Sequence, residues 1–223
     1  MLSLDNVTKY YPLRRGKRCV LDNISFTLHK GEKLGILGCN GAGKSTLIRI
    51  ISGCEKPTSG TVIRKMSVSW PLAFQGGFVG GLTGLDNLKF ICRIYDIPLE
   101  TALPAVQSFS ELGPYLREPV GSYSAGMRAR LAFAISMVVE FDCYLIDEIS
   151  AVGDKRFNAR CKAALFNRQK NSSLVIVSHF MGVINEYCNR FAVLDEGTFT
   201  LFDDKTDAAK YYDYVLSQKN ITI

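Results

Sequence analysis

The chain has no apolar run long enough to cross a bilayer. Its longest, Leu131–Val139, is nine residues set between Arg130 and Glu140, where about 20 would be needed. Met1 to Tyr10 lacks the basic-then-apolar form of a signal peptide. No CxxC pair occurs among the cysteines, which are dispersed at 19, 39, 54, 92, 143, 161 and 188. Seven thiols at such spacings argue against a disulfide framework or a zinc site and lead us to expect a reducing compartment. No repeat or low-complexity tract is visible. What is left is an ordinary globular composition, with 47% hydrophobic, 22% charged and 11% aromatic residues among 223. That excludes disorder, collagen-like and coiled-coil architectures. The length corresponds to one or two domains at roughly 150 residues each. Such a chain buries about 70% of its unfolded surface and needs no staples.

Charge is less decisive. Lys+Arg 27 against Asp+Glu 21 gives +6. Four of the positives are clustered at Arg14, Arg15, Lys17 and Arg18, and without them the balance is about +2. The cluster fits an anionic ligand, an anionic membrane surface or a solvated loop.

Hydrophobic periodicity organises the chain. Residues 2–10 and 19–28 read as strands, the second through alternating Ile24, Phe26 and Leu28. Lys33 to Leu37 reads as a short strand, followed by a Gly-rich turn and a helix from Lys44, and 61–70 as a pair of short strands. Helical patterns dominate 83–140, with Leu88, Ile91, Ile94 and Tyr95 on one face and Leu131, Ala134, Ile135 and Val138 on another. Strands return at 143–147, 174–178 and 191–195, separated by helical stretches near 155–170 and 181–188. A last helix, about 205–218, places Ala208, Tyr211, Tyr212 and Val215 at helical spacing. Alternating strand and helix predicts an α/β core with a mainly parallel sheet.

Gly38-Cys39-Asn40-Gly41-Ala42-Gly43-Lys44-Ser45 satisfies G-x-x-x-x-G-K-[ST] between a strand and a helix. Glycines let backbone N–H groups turn inward around a phosphate, and the helix N-terminus adds free N–H groups and a positive dipole end. Lys44 then reaches the β- and γ-phosphates, while Ser45 completes a Mg²⁺ shell. The apolar strand Cys143 to Ile146 ends in Asp147 and Glu148. Asp147 is placed to hold Mg²⁺ through water, and Glu148 to orient and polarise an attacking water.

Those two elements specify a P-loop NTPase. Tyr123-Ser124-Ala125-Gly126-Met127, ahead of a helix, resembles the signature of the ATP-binding-cassette (ABC) family, usually L-S-G-G-Q, and matches it at Ser124 and Gly126. Ser124 is equally placed to be a helix N-cap. The resemblance extends from Leu2 to about Leu216. It implies that His179, 32 residues after Asp147, is the switch histidine that contacts the γ-phosphate. Asp154 in Ala151-Val152-Gly153-Asp154 matches the D-loop. Tyr11 matches the aromatic that stacks on adenine, with Tyr10 as the alternative. Gln75 matches the Q-loop glutamine that senses Mg²⁺ and the membrane partner, although the segment from Gly76-Gly77-Phe78 to Leu82-Thr83 is about one residue short. Cys39, Asn40, Gly41, Ala42 and Thr46 join the nucleotide site with the phosphate loop.

The implied fold is a single ABC-type nucleotide-binding domain over 1–223. It has a RecA-like parallel-sheet core and antiparallel β-subdomain in 1–75 and 141–204, an inserted helical subdomain at 76–140, and a C-terminal helix at 205–223. The variants Ser-x-Gly-Met at 124–127 and Ala-Val-Gly-Asp at 151–154, with Gly-Gly-Phe and Leu-Thr-Gly within 76–84, look like polysaccharide-export ATPases. The compact length, Ser69-Trp70-Pro71 and the tyrosines 211, 212 and 214 resemble the capsular polysaccharide exporters of Gram-negative bacteria. Alternatives are O-antigen, teichoic acid or other ABC exporters, then a soluble cassette ATPase, then a regulatory module without turnover. A cassette acting on ribosomes or DNA would usually be fused in tandem or carry a long coiled coil, so no nucleic-acid partner is expected. The resemblance implies ATP and Mg²⁺ as cofactors. It implies a homodimer in which Ser124 and Gly126 of one copy close on the ATP held by Lys44 and Ser45 of the other. It further implies a separate integral membrane permease, capsule export machinery, and a peripheral place on the cytoplasmic face of the inner membrane. The Arg14–Arg18 cluster is then a contact for lipid or permease, or solvated.

Overall fold

A computed structural model of the chain describes residues 1–72, 77–147, 155–168 and 172–220. The strands are β1 (Leu2–Pro12), β2 (Lys17–Leu28), β3 (Lys33–Leu37), β4 (Ser59–Arg64), β5 (Val68–Pro71), β6 (Cys143–Asp147), β7 (Ser173–Ser178), β8 (Arg190–Asp195) and β9 (Thr198–Phe202). The helices are α1 (Lys44–Ser52), α2 (Gly84–Ile94), α3 (Leu99–Ser110), α4 (Ala125–Val138), α5 (Lys155–Arg168), α6 (Met181–Tyr187) and α7 (Lys205–Asn220). No helix among the described residues is long and apolar enough to cross a membrane. Contacts divide the chain into two units. The first is Met1–Pro71, Phe141–Ile149 and Arg168–Ile223; the second is Leu72–Glu140 and Ser150–Asn167.

The first unit holds two sheets. Six strands run in the order β5-β6-β7-β3-β8-β9, parallel except for β9. The central strands are apolar without alternation, and every residue of β7 is buried, as a parallel strand covered on both faces requires. The second sheet is antiparallel, in the order β2-β1-β4, with Leu4 opposite both Phe26 and Val62. Its inward residues Leu2, Leu4, Leu21 and Phe26 join α1 (Leu47, Ile48, Ile50, Ile51) and Leu145, Val177 and Leu194 in one core. Helix α7 buries Ala208, Tyr212 and Val215 and leaves Tyr211 partly exposed. The seam expected for that helix therefore narrows by one residue.

In the second unit, Thr83 caps α2, its Oγ accepting the Asp86 N–H at 3.0 Å. The buried face of α2 differs from the expected one. Gly84, Asn87, Leu88 and Cys92 are inside, while Ile94 is 56% and Tyr95 41% exposed. Burial follows the i, i+4 row 84–88–92, and Asn87 bonds back to the preceding loop, accepting the Val79 N–H and donating to the Thr83 carbonyl. Ile94 and Phe90 fall on the outer face. Helix α5 connects β6 to β7 along the chain, yet it folds with this unit. Phe109, Phe133 and Phe157, from α3, α4 and α5, stack or meet edge-on at 5.4–6.2 Å. Glu111, left-handed at φ 54° where α3 ends, binds Arg130 of α4 at 3.1 Å and Arg160 of α5 at 2.5 Å.

Candidate functional site

The phosphate loop lies between β3 and α1. The Gly38 N–H donates to the Ser178 carbonyl at 3.2 Å, which fixes the start of the loop to the end of β7. Gly43 sits at φ 108°, and a Cβ there would lie 2.7 Å from the Val20 carbonyl oxygen. Only glycine gives both that conformation and that approach. Lys44 is buried, and its ammonium donates to the Gly38 carbonyl at 2.7 Å and the Cys39 carbonyl at 3.0 Å. Desolvating a cation is tolerated because these carbonyl dipoles accept its hydrogen bonds. The side chain thus lies folded back along the inside of the loop.

A cavity of about 310 Å³ opens at this point. Asn40, Gly41, Gly43, Lys44, Ser45 and Thr46 line it from the loop and α1, and Asp147 from the end of β6. Tyr11, Arg18 and Val20 line it from the antiparallel sheet. The structure thus brings eight of the expected residues to one place, with Tyr11 and not Tyr10 in the lining. Successive side chains of a strand alternate faces, and Tyr10 is 41% exposed. Gly38, Cys39 and Ala42 shape the loop from outside the lining. Among the described residues no cluster of three metal-ligating His, Cys, Asp or Glu occurs. The donors beside Lys44 include the Ser45 hydroxyl and the Asp147 carboxylate, a set that suits an ion that keeps waters and shares ligands with a phosphate.

Tyr11 is held in place. Its hydroxyl bonds to Glu55 at 2.6 and 2.8 Å. Glu55 also accepts from Lys9 at 2.8 Å and Arg49 at 3.0 Å, and Arg49 reaches Thr46 Oγ at 3.2 Å. Partial burial pushes the Glu55 carboxyl up, but bonds from Lys9, Tyr11 and Arg49 prevail and hold it at about 2. Hydrogen bonding to the Tyr11 hydroxyl, outweighing partial burial, raises the Arg49 guanidinium. The two partners move in the directions of a formed ion pair.

Other expected residues lie elsewhere. His179 follows β7, half-buried and outside the cavity lining, with its carbonyl accepting from Tyr212 at 3.3 Å. Its ring lies 3.7 Å from that of Phe180. Ser124 caps α4 in the second unit, its Oγ accepting the Met127 N–H at 3.2 Å, and Gly126 follows in the first turn. Gln75, Glu148 and Asp154 lie outside the described residues. Sequence reasoning missed Arg18, Val20 and the Glu55–Arg49 pair. Strand alternation opposite Tyr11 was the available signal for the first two; nothing local marks the pair.

A sequence model of the ABC transporter family matches residues 21–151. The chain is 55% identical over 213 residues, 96% of its length and 99% of the relative's, to the capsule polysaccharide export ATP-binding protein CtrD of Neisseria meningitidis serogroup B. It is also 55% identical, across 96% of its length and 98% of the relative's, to the ATP-binding protein BexA of Haemophilus influenzae. Among solved structures, the dimeric ATP-binding cassette MJ0796 in a post-hydrolysis state bound to ADP and Pi aligns with TM-score 0.75. That match covers 90% of this chain and 98% of that one at 22% identity, a likeness of fold.

Proposed function

Because the chain belongs to the ABC transporter family, we propose that it is the ATP-binding and ATP-hydrolysing subunit of a transporter exporting capsular polysaccharide through a separate membrane permease. The observation that carries the substrate class is the 55% identity to CtrD across nearly the whole of both chains. The cavity supports the chemistry. Backbone N–H groups at 41–45 and the start of α1 receive phosphate oxygens, and Lys44 leaves the loop carbonyls to meet the β- and γ-phosphates. Tyr11 offers its face to the adenine. Ser45 and Asp147 would hold a Mg²⁺, which when bound neutralises phosphate charge. Glu148 activates the attacking water, with His179 and Gln75 at the γ-phosphate and Asp154 at the contact between copies.

Two copies of the chain complete the site, Ser124 and Gly126 of each facing the nucleotide of the other. The capping bond at Ser124 leaves a helix N-terminus with Gly126 in its first turn, which supports an anion contact from the second copy. Opening and closing of this homodimer then drives the permease. The exposed Phe90 and Ile94 on α2, with Tyr95 at its C-cap, support docking of permease helices there, since a contiguous apolar surface is costly without a partner. The 76–140 block serves as the helical subdomain and 205–223 as the C-terminal helix. The subunit works peripherally, on the cytoplasmic face of the inner membrane, with the rest of the capsule export machinery.

The test is Glu148→Gln. It should bind ATP, accumulate as a dimer and hydrolyse far more slowly than the native protein. In Neisseria meningitidis lacking CtrD, the native chain should restore surface capsule and Glu148→Gln should not. Native-rate hydrolysis by the variant refutes the general-base role.

A further inference from the structure

We infer that Arg18 is a nucleotide-binding residue, a cation that the β1–β2 sheet holds over the phosphate chain beside the loop. The inference deepens the nucleotide-site reading above and rests on it. In the ladder Arg18 stands directly opposite Tyr11. Directly paired residues of antiparallel strands have their Cβ atoms about 5 Å apart on one face. Val20, at the register shift between Lys9 and Tyr10, lines the same cavity as Arg18, and its carbonyl is the backbone against which Gly43 fits. Val20 and Arg18 thus border the phosphate loop, with Tyr11 opposite Arg18.

Three observations direct the guanidinium to phosphate. Arg18 lines the cavity that Lys44 and Ser45 also line. It lines an adjoining cavity of about 410 Å³ as well, and Asn40 and Gly41 of the phosphate loop are common to both. Arg18 therefore borders the loop in both cavities, the second of which Glu196 and Lys219 also line. Among the described residues no carboxylate pairs with Arg18, and it makes no bond beyond the strand ladder. Lys219 in the adjoining cavity, by contrast, is bound to Asp195 at 2.5 Å. Lys44 and Arg18 are the cationic side chains of the main cavity. The planar guanidinium suits two phosphate oxygens at once, which an ammonium does not.

The experiment is ATP and AMP binding, by calorimetry and competition, to Arg18→Ala, Arg18→Lys, Lys17→Ala and Lys44→Ala, at low and high salt. Arg18 is exposed, so its loss should leave the melting temperature unchanged. Arg18→Ala should weaken ATP binding about five- to tenfold, as expected for an exposed charge-assisted contact, and flatten its salt dependence. AMP should lose less, and Arg18→Lys should recover part of the ATP affinity. Lys17→Ala removes the same charge from the same hairpin outside the cavity and should bind normally. ATP binding unchanged in Arg18→Ala overturns the assignment, as does an equal loss for ATP and AMP, which would put the contact on base or ribose. Lys44→Ala separates the two levels: if it too binds ATP normally, the nucleotide-site reading has failed, not Arg18 alone.

Discussion

Replacing Glu55 by Gln removes one charge from a group that joins four side chains. A carboxyl held at about 2 against an ordinary 4.5 contributes about 3 kcal/mol at most when ionised. Solvent reaches this cluster, with Arg49 40% and Glu55 20% exposed, so about 2 kcal/mol is the working figure. For a chain of this size that corresponds to a loss of about 4–8 °C in melting temperature. The pH dependence has a definite sign. The folded-state value is depressed, so the contribution is complete above about 4.5 and is lost as pH falls towards 2. The native protein and Glu55→Gln should therefore differ equally at pH 7 and pH 6, and the gap should close below pH 4.5. Urea denaturation followed by the single tryptophan reports on the same unit, because Trp70 packs edge-on against Phe141 at 5.3 Å. The variant should also show a raised KM for ATP with kcat less affected, since Tyr11 loses its anchor. No difference at pH 7, or an undiminished one at pH 3, refutes the reasoning.

Two further outcomes are expected. Gly43→Ala forces a Cβ to within 2.7 Å of the Val20 carbonyl oxygen at φ 108°; strain of about 1–3 kcal/mol should weaken ATP binding at least about fivefold in calorimetry, and native affinity would contradict the fit described. MgATP should slow alkylation of Cys39, mapped by peptide mass. The exposed Cys19 and Cys54 should react regardless, and buried Cys143, whose thiol burial pushes up to about 12, should stay inert; equal labelling of Cys39 with and without MgATP counts against its place in the loop.

The α/β class and the strand–loop–helix at 33–52 were legible because every level of the sequence agrees there: an apolar strand, glycines where the chain must turn, then a helical apolar row. Strand β9 was not read. It pairs antiparallel with β8 at the sheet edge, and its half-buried residues give little alternation. The face of α2 was misjudged because that helix carries more apolar residues than its buried row can hold, so Ile94 and Tyr95 remain outside. Arg18 was visible only as part of a basic cluster. Its separation from Arg14, Arg15 and Lys17 comes from ladder register, which sequence does not state. Glu55 meets Tyr11 across 44 residues, and such a pairing depends on how the segment after α1 returns to β1, where Thr58 bonds to Thr8 and Tyr10, rather than on any local pattern.

The path of α5 has a mechanical consequence. Parallel neighbours β6 and β7 are joined through a helix that folds with the other unit, pinned there by Phe157 and Arg160. Seven residues separate Asp147 from Lys155, so covalent reach alone, about 3.5 Å per residue, limits how far α5 and the unit it folds with can part from the carboxylate end of β6.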